Sequence, residues 1–296
     1  MLTQDSLART AGEMPQAPAE VAPALKAGPP ERVAPQEDRA LSASQRRRRR
    51  ERLLSVFSPV ALLGLWEALV HLHLLDARFF PPPSGIAGTF VNLTASGELP
   101  QAIAISLSRV FIGFLVGAIP GLVIGLTMGL FPLVRAALEP MVAALYPIPK
   151  IALLPLIMIL FGIGEWSKYV TIAIGVFFLV LINTVAGVVN IERIYLDVAR
   201  NFGASRKDFY TTIALPGALP MIFTGIKLGM GMALLLIVAA EMIGAKSGIG
   251  YMIWTGYDTF FLEKMYVGLI IMAFLGYVSS LLLDEVERWI VPWKHS

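Results

Sequence analysis

From residue 53 to residue 290 the chain is a succession of long apolar runs separated by short polar stretches. Six runs stand out, near 53–75, 101–128, 138–162, 168–190, 219–243 and 265–290. A helix of about 20 apolar residues crosses a hydrocarbon core roughly 30 Å thick, and each run reaches that length. The pattern therefore predicts an all-α polytopic membrane protein with six transmembrane helices. The first run follows a basic stretch, Arg46–Arg52. Together they have the order of a signal peptide, but the apolar part is too long and the basic part begins too far in. An uncleaved first helix with its basic end in the cytoplasm is the expectation.

Residues 1–45 are different in kind. They are rich in Pro, Ala, Glu and Gln, with few large apolar side chains. Such a segment buries too little surface to offset its ordering entropy, so it reads as a disordered tail, and 46–296 as the membrane domain. Within the membrane domain, Gly113, Gly117, Gly121, Gly125 and Gly129 recur every four residues in the second run. Small residues at that spacing form one face where helix backbones approach closely, and Gly225, Gly229 and Gly231 suggest the same in the fifth. Pro132, Pro140, Pro147, Pro149 and Pro155 crowd the third run and its approach, where kinks are expected. Pro81-Pro82-Pro83-Ser84 reads as a stiff start for a short interfacial helix over Ile86–Ala95.

Orientation follows from the basic residues. With the first helix starting inside, the inner segments 129–137, 191–218 and 291–296 hold Arg135, Arg193, Arg200, Arg206, Lys207 and Lys294. The outer segments hold Arg78, Lys246 and Lys264. The inner excess places both termini in the cytoplasm. Trp66, Trp166, Trp254 and Trp289 fall mostly at the interfaces expected for an aromatic belt.

Composition narrows the function. Of 296 residues, 56% are hydrophobic and 15% charged, against about 25% charged in soluble domains. Mean hydropathy is +0.70. A soluble enzyme or a nucleic-acid-binding protein is excluded on that count, despite the net charge of +3 and the pI near 9.2. There are no cysteines, so thiolate metal sites and cysteine nucleophiles are excluded too. With three histidines, His71 and His73 being two apart, no histidine-built metal site is expected.

The longest inner connection, 191–218, is the most informative segment. Tyr195–Phe202 reads as a short helix, Gly203 as a sharp turn, and Ser205 as the cap of a second helix with Asp208 as its acidic partner. Pro216 and Pro220 mark the entry to the fifth span. A helix–Gly–helix element on the inner face suits either a partner protein or the membrane surface. The segment also resembles the inner-loop signature of the integral membrane subunits of type I ABC importers: E-A-A, three residues, Gly, nine residues, I-x-L-P. Here Asp197-Val198-Ala199, Gly203 and Ile213-Ala214-Leu215-Pro216 stand at those spacings, with Asp for Glu and Val for the first Ala. Tyr146–Leu156, Phe161-Gly162-Ile163-Gly164, Ala240–Ala245 and Ser247–Gly250 resemble the subfamily of permeases for nitrate, alkanesulfonates, taurine and bicarbonate.

The resemblance implies the type I importer permease fold, two permease copies, separate ATPase subunits, an extracytoplasmic solute-binding protein and a bacterial cytoplasmic membrane. It implies that 197–216 docks on the ATPase through Asp197, Ala199, Gly203, Ala204, Arg206, Lys207, Ile213, Leu215 and Pro216. A phosphate-cradling loop needs Gly-Lys followed by Ser or Thr, and the chain has no Gly-Lys pair, so ATP and Mg belong to the partner. No catalytic residue, metal or bound cofactor is expected in this chain. Charges inside spans are costly and carry a functional hypothesis by default. Arg109, Lys150, Lys227 and Glu241 qualify, either along the path of a small anion or paired with one another and with carbonyls. Glu67, on the first helix, reads as structural. Two other classes compete: a secondary transporter or channel, which needs no docking loop, and a membrane enzyme, which needs a polar catalytic cluster.

Overall fold

The computed structural model describes residues 57–192, 194–195, 201–203, 205 and 208–294, with the side chains of 209, 210 and 294 left aside. The expected tail, the basic run Arg46–Arg50, most of the helix expected over Tyr195–Phe202, and Asp197, Ala199, Ala204, Arg206 and Lys207 lie outside the described residues. The chain divides at Val60 into two compact units, and every element after α1 belongs to the second, Ala61–Ser296.

Every regular element among the described residues is helical. The elements are α1 (Phe57–His71), α2 (Pro83–Ala95), α3 (Glu98–Leu130), α4 (Pro132–Leu145), a 3-10 turn (Lys150–Leu153), α5 (Leu154–Phe161) and α6 (Glu165–Val189). A π-helical turn (Phe209–Ala214) then leads into α7 (Leu215–Gly244), α8 (Ile249–Asp258) and α9 (Leu262–Ile290), with a closing 3-10 turn (Pro292–Lys294). Among the described residues four helices are long and apolar enough to cross a membrane: α3, α6, α7 counted from Thr211, and α9.

The expected third span, 138–162, is not one helix. It is a pair, α4 and Lys150–Phe161, bent by 85° at its break. Pro147 and Pro149 fall in that break, where each lacks the N–H that would continue the ladder. Pro132 opens α4 six residues before the expected start, because a proline is favoured in the first turn, where its N–H has no helical partner anyway. The described part of α1 is apolar but shorter than the 53–75 expected.

The glycines of α3 explain its closest packing. A Cβ on Gly117 would strike the Ala173 carbonyl; on Gly125 it would lie 2.7 Å from Thr184 Cβ, and on Gly129 2.6 Å from Val188 Cβ. All three contacts are with α6, so the small-residue face lets the two backbones touch. Gly225 and Gly229 of α7 approach α6 in the same way, Gly225 against Asn183 and Leu179 and Gly229 against Val176. Gly231 differs from the expectation: nothing lies within 4 Å of it, because it points away from α6 on the exposed side of α7. Val110 and Phe114 of α3, Ile172 and Val176 of α6, and Leu236 and Ile237 of α7 form the central core. A second cluster joins α2, α3, α8 and α9 through Ile86, Leu99, Ile249, Met252 and Val267.

The connection after α1 is ordered as expected. Three prolines lead into α2, and Glu67 of α1 accepts two hydrogen bonds from Ser84 in the first turn of α2. The Ser84 backbone N–H donates to Glu67 Oε2 (3.0 Å) and its hydroxyl to Oε1 (2.7 Å). Glu67 thus has the structural role its place suggested. Trp166 and Trp289 are largely exposed, at 66% and 83%. Trp66 packs on Tyr266, ring centroids 5.7 Å apart.

Candidate functional site

Three polar features interrupt the apolar body. The first lies in the connection between α6 and α7. Gly203 has φ +67°, the left-handed region that glycine enters without a steric penalty, and nothing lies within 4 Å of where a Cβ would sit. Two residues on, Ser205 Oγ accepts the Asp208 backbone N–H (3.2 Å) while its hydroxyl donates to Asp208 Oδ2 (2.5 Å). Turn and cap therefore stand as the sequence suggested. Ile213 lies in the π-helical turn, and Leu215 and Pro216 open α7. Ile213 and Pro216 line a cavity of about 540 Å³ together with Glu192, Tyr195, Pro220 and Trp293.

The second is a buried ion cluster near the N-terminal ends of α3 and α6 and the C-terminal end of α7. Arg109 is 4% exposed. Its Nη1 donates to Glu241 Oε1 and to the Ser247 carbonyl, both at 2.7 Å. Nε and Nη2 grip Glu165 in a fork, both bonds 2.6 Å. A planar guanidinium is suited to this bidentate geometry. Glu241 is wholly enclosed and also accepts from Ser106 Oγ (2.8 Å) and the Gly250 N–H (2.9 Å). Ser106 Oγ in turn accepts the Ile249 N–H (2.8 Å), so the α8 N-terminus is tied to α3. Gly248, at φ +108°, is required here: a Cβ would fall on the Glu241 carboxylate. Lys168, also buried, lies 3.7 Å from Glu165 and donates to the Gly164 carbonyl (2.9 Å).

The third is the pair of remaining cations. Lys227 of α7 bonds to both Asp284 and Glu287 of α9. Lys150 sits at the break of the bent span. Its Nζ donates to the carbonyls of Leu145 (3.0 Å) and Tyr146 (2.9 Å) and lies 4.6 Å from the Phe178 ring centroid. It borders a cavity of about 310 Å³.

The four charges singled out inside spans are thus not one group. Arg109 and Glu241 meet each other, Lys227 meets acids of α9, and Lys150 stands apart. Pattern reading missed Glu165, Lys168, Asp284 and Glu287 as their partners. Asp284 and Glu287 are three apart on a span, hence on one face, and a span lysine elsewhere was the signal for them. Glu165 opens α6 immediately after Gly162-Ile163-Gly164, at a span border where a charge draws no notice. Among the described residues no cluster of His, Asp and Glu has the arrangement of a metal site.

Residues 121–295 match the family model described as binding-protein-dependent transport system inner membrane component. The chain is similar to the taurine transport system permease protein TauC of Escherichia coli (strain K12): 32% identical over 249 residues, covering 82% of this chain and 90% of TauC. It is similar to the nitrate import permease protein NrtB of Leptolyngbya laminosa: 36% identical over 194 residues, covering 63% and 70% of the two chains. A chain of an inward-facing MetNI methionine ABC transporter shares the fold, with a TM-score of 0.56 at 18% identity, over 67% of this chain and 98% of that one.

Proposed function

The chain belongs to the family of binding-protein-dependent transport system inner membrane components, and on that premise we propose that it forms half of the membrane path of an ATP-driven importer for a small anionic solute. Nitrate, an alkanesulfonate, taurine or bicarbonate is the cargo class, on the strength of the named relatives and the sequence resemblance. Two copies stand side by side in a bacterial cytoplasmic membrane, each with six transmembrane helices and both termini in the cytoplasm. An extracytoplasmic binding protein delivers the solute, and two ATPase subunits, which carry ATP and Mg, drive the cycle.

The coupling element is 197–216. The observation that carries this assignment is the left-handed Gly203, followed by the Ser205–Asp208 cap and an uninterrupted helical path from Phe209 into α7. A turn so fixed is stiff. Force from a docked ATPase passes along Ile213, Leu215 and Pro216 into a span that packs on α6, tilting the helices between inward-open and outward-open states. Asp197 and Ala199 begin the docking surface, Ala204 leaves room for close approach, and Arg206 and Lys207 meet acidic groups on the ATPase. Arg109, Glu241 and Lys227 brace the helices that frame the path, since each is satisfied within its own chain.

The test is Gly203→Val against Gly203→Asn in the assembled transporter. A left-handed conformation costs a branched residue roughly 1–2 kcal/mol, whereas Asn tolerates it. Gly203→Val should leave insertion intact and abolish the stimulation of ATP hydrolysis by loaded binding protein. Gly203→Asn should retain most of it. Full coupling in the Val variant refutes the docking role.

A further inference from the structure

Most positive charges in the described membrane helices are matched by negative charge; the exceptions, Arg135 and Lys150, both belong to the bent pair of α4 and Lys150–Phe161. Arg109 faces Glu241 and Glu165, Lys168 faces Glu165, and Lys227 faces Asp284 and Glu287. Lys150 has no carboxylate within ion-pair distance among the described residues. It is the only charged residue between Glu139 and Glu165. An ammonium has three N–H donors; two are taken by the Leu145 and Tyr146 carbonyls, and beyond the Phe178 ring face, 4.6 Å from Nζ, no oxygen or nitrogen acceptor is left for the third among the described residues.

What surrounds Lys150 decides what can balance it. The cavity beside it, about 310 Å³, lies between the break of the bent span, α6 and α7, and is walled by Gly175, Leu179, Met232 and Leu235. Tyr146 brings the only other hydroxyl or charged side chain of the described lining. A cavity of this size has ample room for a nitrate or an alkanesulfonate. Its one net charge stands in apolar surroundings, where Coulomb forces are strong, so it attracts an anion and repels a cation. Half-helix ends at a broken span are also where transporters commonly hold ions.

Resting on the importer reading above, we propose that this cavity is a station for a monovalent oxyanion in transit, with the Lys150 ammonium as its cation and the Tyr146 hydroxyl as a second donor. The solute class is a small planar or tetrahedral oxyanion, a nitrate or a sulfonate. One cation and one hydroxyl make a weak site, and a transit site must release what it receives.

The experiment uses the absence of cysteine from the chain. Leu235→Cys places a thiol on the cavity wall, unique in this subunit. Membrane vesicles bearing the complete transporter are treated with one of two thiol-specific methanethiosulfonate reagents, one ending in a sulfonate and one in a trimethylammonium. Mass spectrometry of this chain gives both rates. Relative to the rates with a free thiol, the sulfonate reagent should be favoured by on the order of a hundredfold or more, because a unit charge several ångströms away at an effective dielectric near 20 shifts the two reagents in opposite directions. Adding Lys150→Gln should erase the preference, and Lys150→Arg should keep it. Gln retains an amide donor for the carbonyls, so the loss reports the charge and not the helix cap. A preference unchanged by Lys150→Gln overturns the proposal, as does a thiol that reacts with neither reagent. In parallel, uptake of nitrate or an alkanesulfonate should fall at least tenfold in Lys150→Gln; unchanged uptake also overturns it. Stimulation of ATP hydrolysis in the unaltered transporter is scored separately. Its absence sinks the importer reading while the reagent ratio still judges the cavity.

Discussion

Removing Arg109 should destabilise the protein more than removing either of its carboxylate partners. The asymmetry comes from burial. Arg109→Met deletes five hydrogen bonds, to Glu165 twice, Glu241, the Ser247 carbonyl and the Ser247 hydroxyl. It leaves Glu241, which is 0% exposed, with only Ser106 and Gly250 as donors. Stranding a buried charge costs about 3–5 kcal/mol. Glu241→Gln leaves Arg109 gripped by Glu165, so its cost is that of one charge-assisted hydrogen bond, about 1.5–3 kcal/mol. Glu165 is 48% exposed, and water replaces part of what Glu165→Gln removes, so about 1 kcal/mol or less is expected. At roughly 2–4 °C per kcal/mol for a chain of this size, Arg109→Met should lower the melting midpoint by about 10 °C. The assay is thermal unfolding of purified protein in mild detergent, followed by tryptophan fluorescence. The double variant Arg109→Met/Glu241→Met should cost about 2 kcal/mol less than the sum of its parts, because no charge is then stranded. A midpoint for Arg109→Met within about 2 °C of the unaltered protein refutes the reasoning, and so does an equal loss in Glu165→Gln.

Other expectations concern helix contacts. Gly117→Val drives a side chain into the Ala173 backbone, which cannot yield as a side chain would; a loss of about 1–3 kcal/mol or more and poor recovery of folded protein are expected. Gly231→Ala is the control. With nothing within 4 Å and an alanine's better helix propensity, it should be neutral or stabilising by about 0.5–1 kcal/mol, and a melting loss equal to that of Gly117→Val would discredit the packing account. Lys227→Met deprives Asp284 and the buried Glu287 of their shared cation. It should lower the midpoint more than Asp284→Asn does, and the reverse order would show that Lys227 is not the centre of that contact.

Local chemistry was legible where it is written in consecutive residues. The four-residue glycine repeat announced the α3–α6 contact, and Ser205 with Asp208 announced a cap. The prolines announced a disturbed third span, yet its 85° bend depends on where α4 and α5 find neighbours, which no single run of residues encodes. The ion cluster was half visible. Arg109 and Glu241 were conspicuous as span charges, but their meeting depends on how α3 and α7 cross, 132 positions apart in sequence. Gly231 departs from expectation for a related reason: spacing gives a glycine's face on its helix, and only the fold tells which face meets a neighbour.

The bareness of α4 has a mechanical consequence. Within one chain the helix buries none of its 14 residues, while α3, α6 and α7 are knitted together by glycine contacts and enclosed ions. Work done on the assembly must go into its most compliant part, and displacing α4 unpacks almost nothing of the chain's own interior. Prolines bound it on either side, Pro132 at its start and Pro147 and Pro149 just past its end. Amide hydrogen exchange in the α4 ladder should therefore outpace that of α3 and α6 by orders of magnitude. In the importer proposed above, the three-helix frame would stay intact while α4 moves.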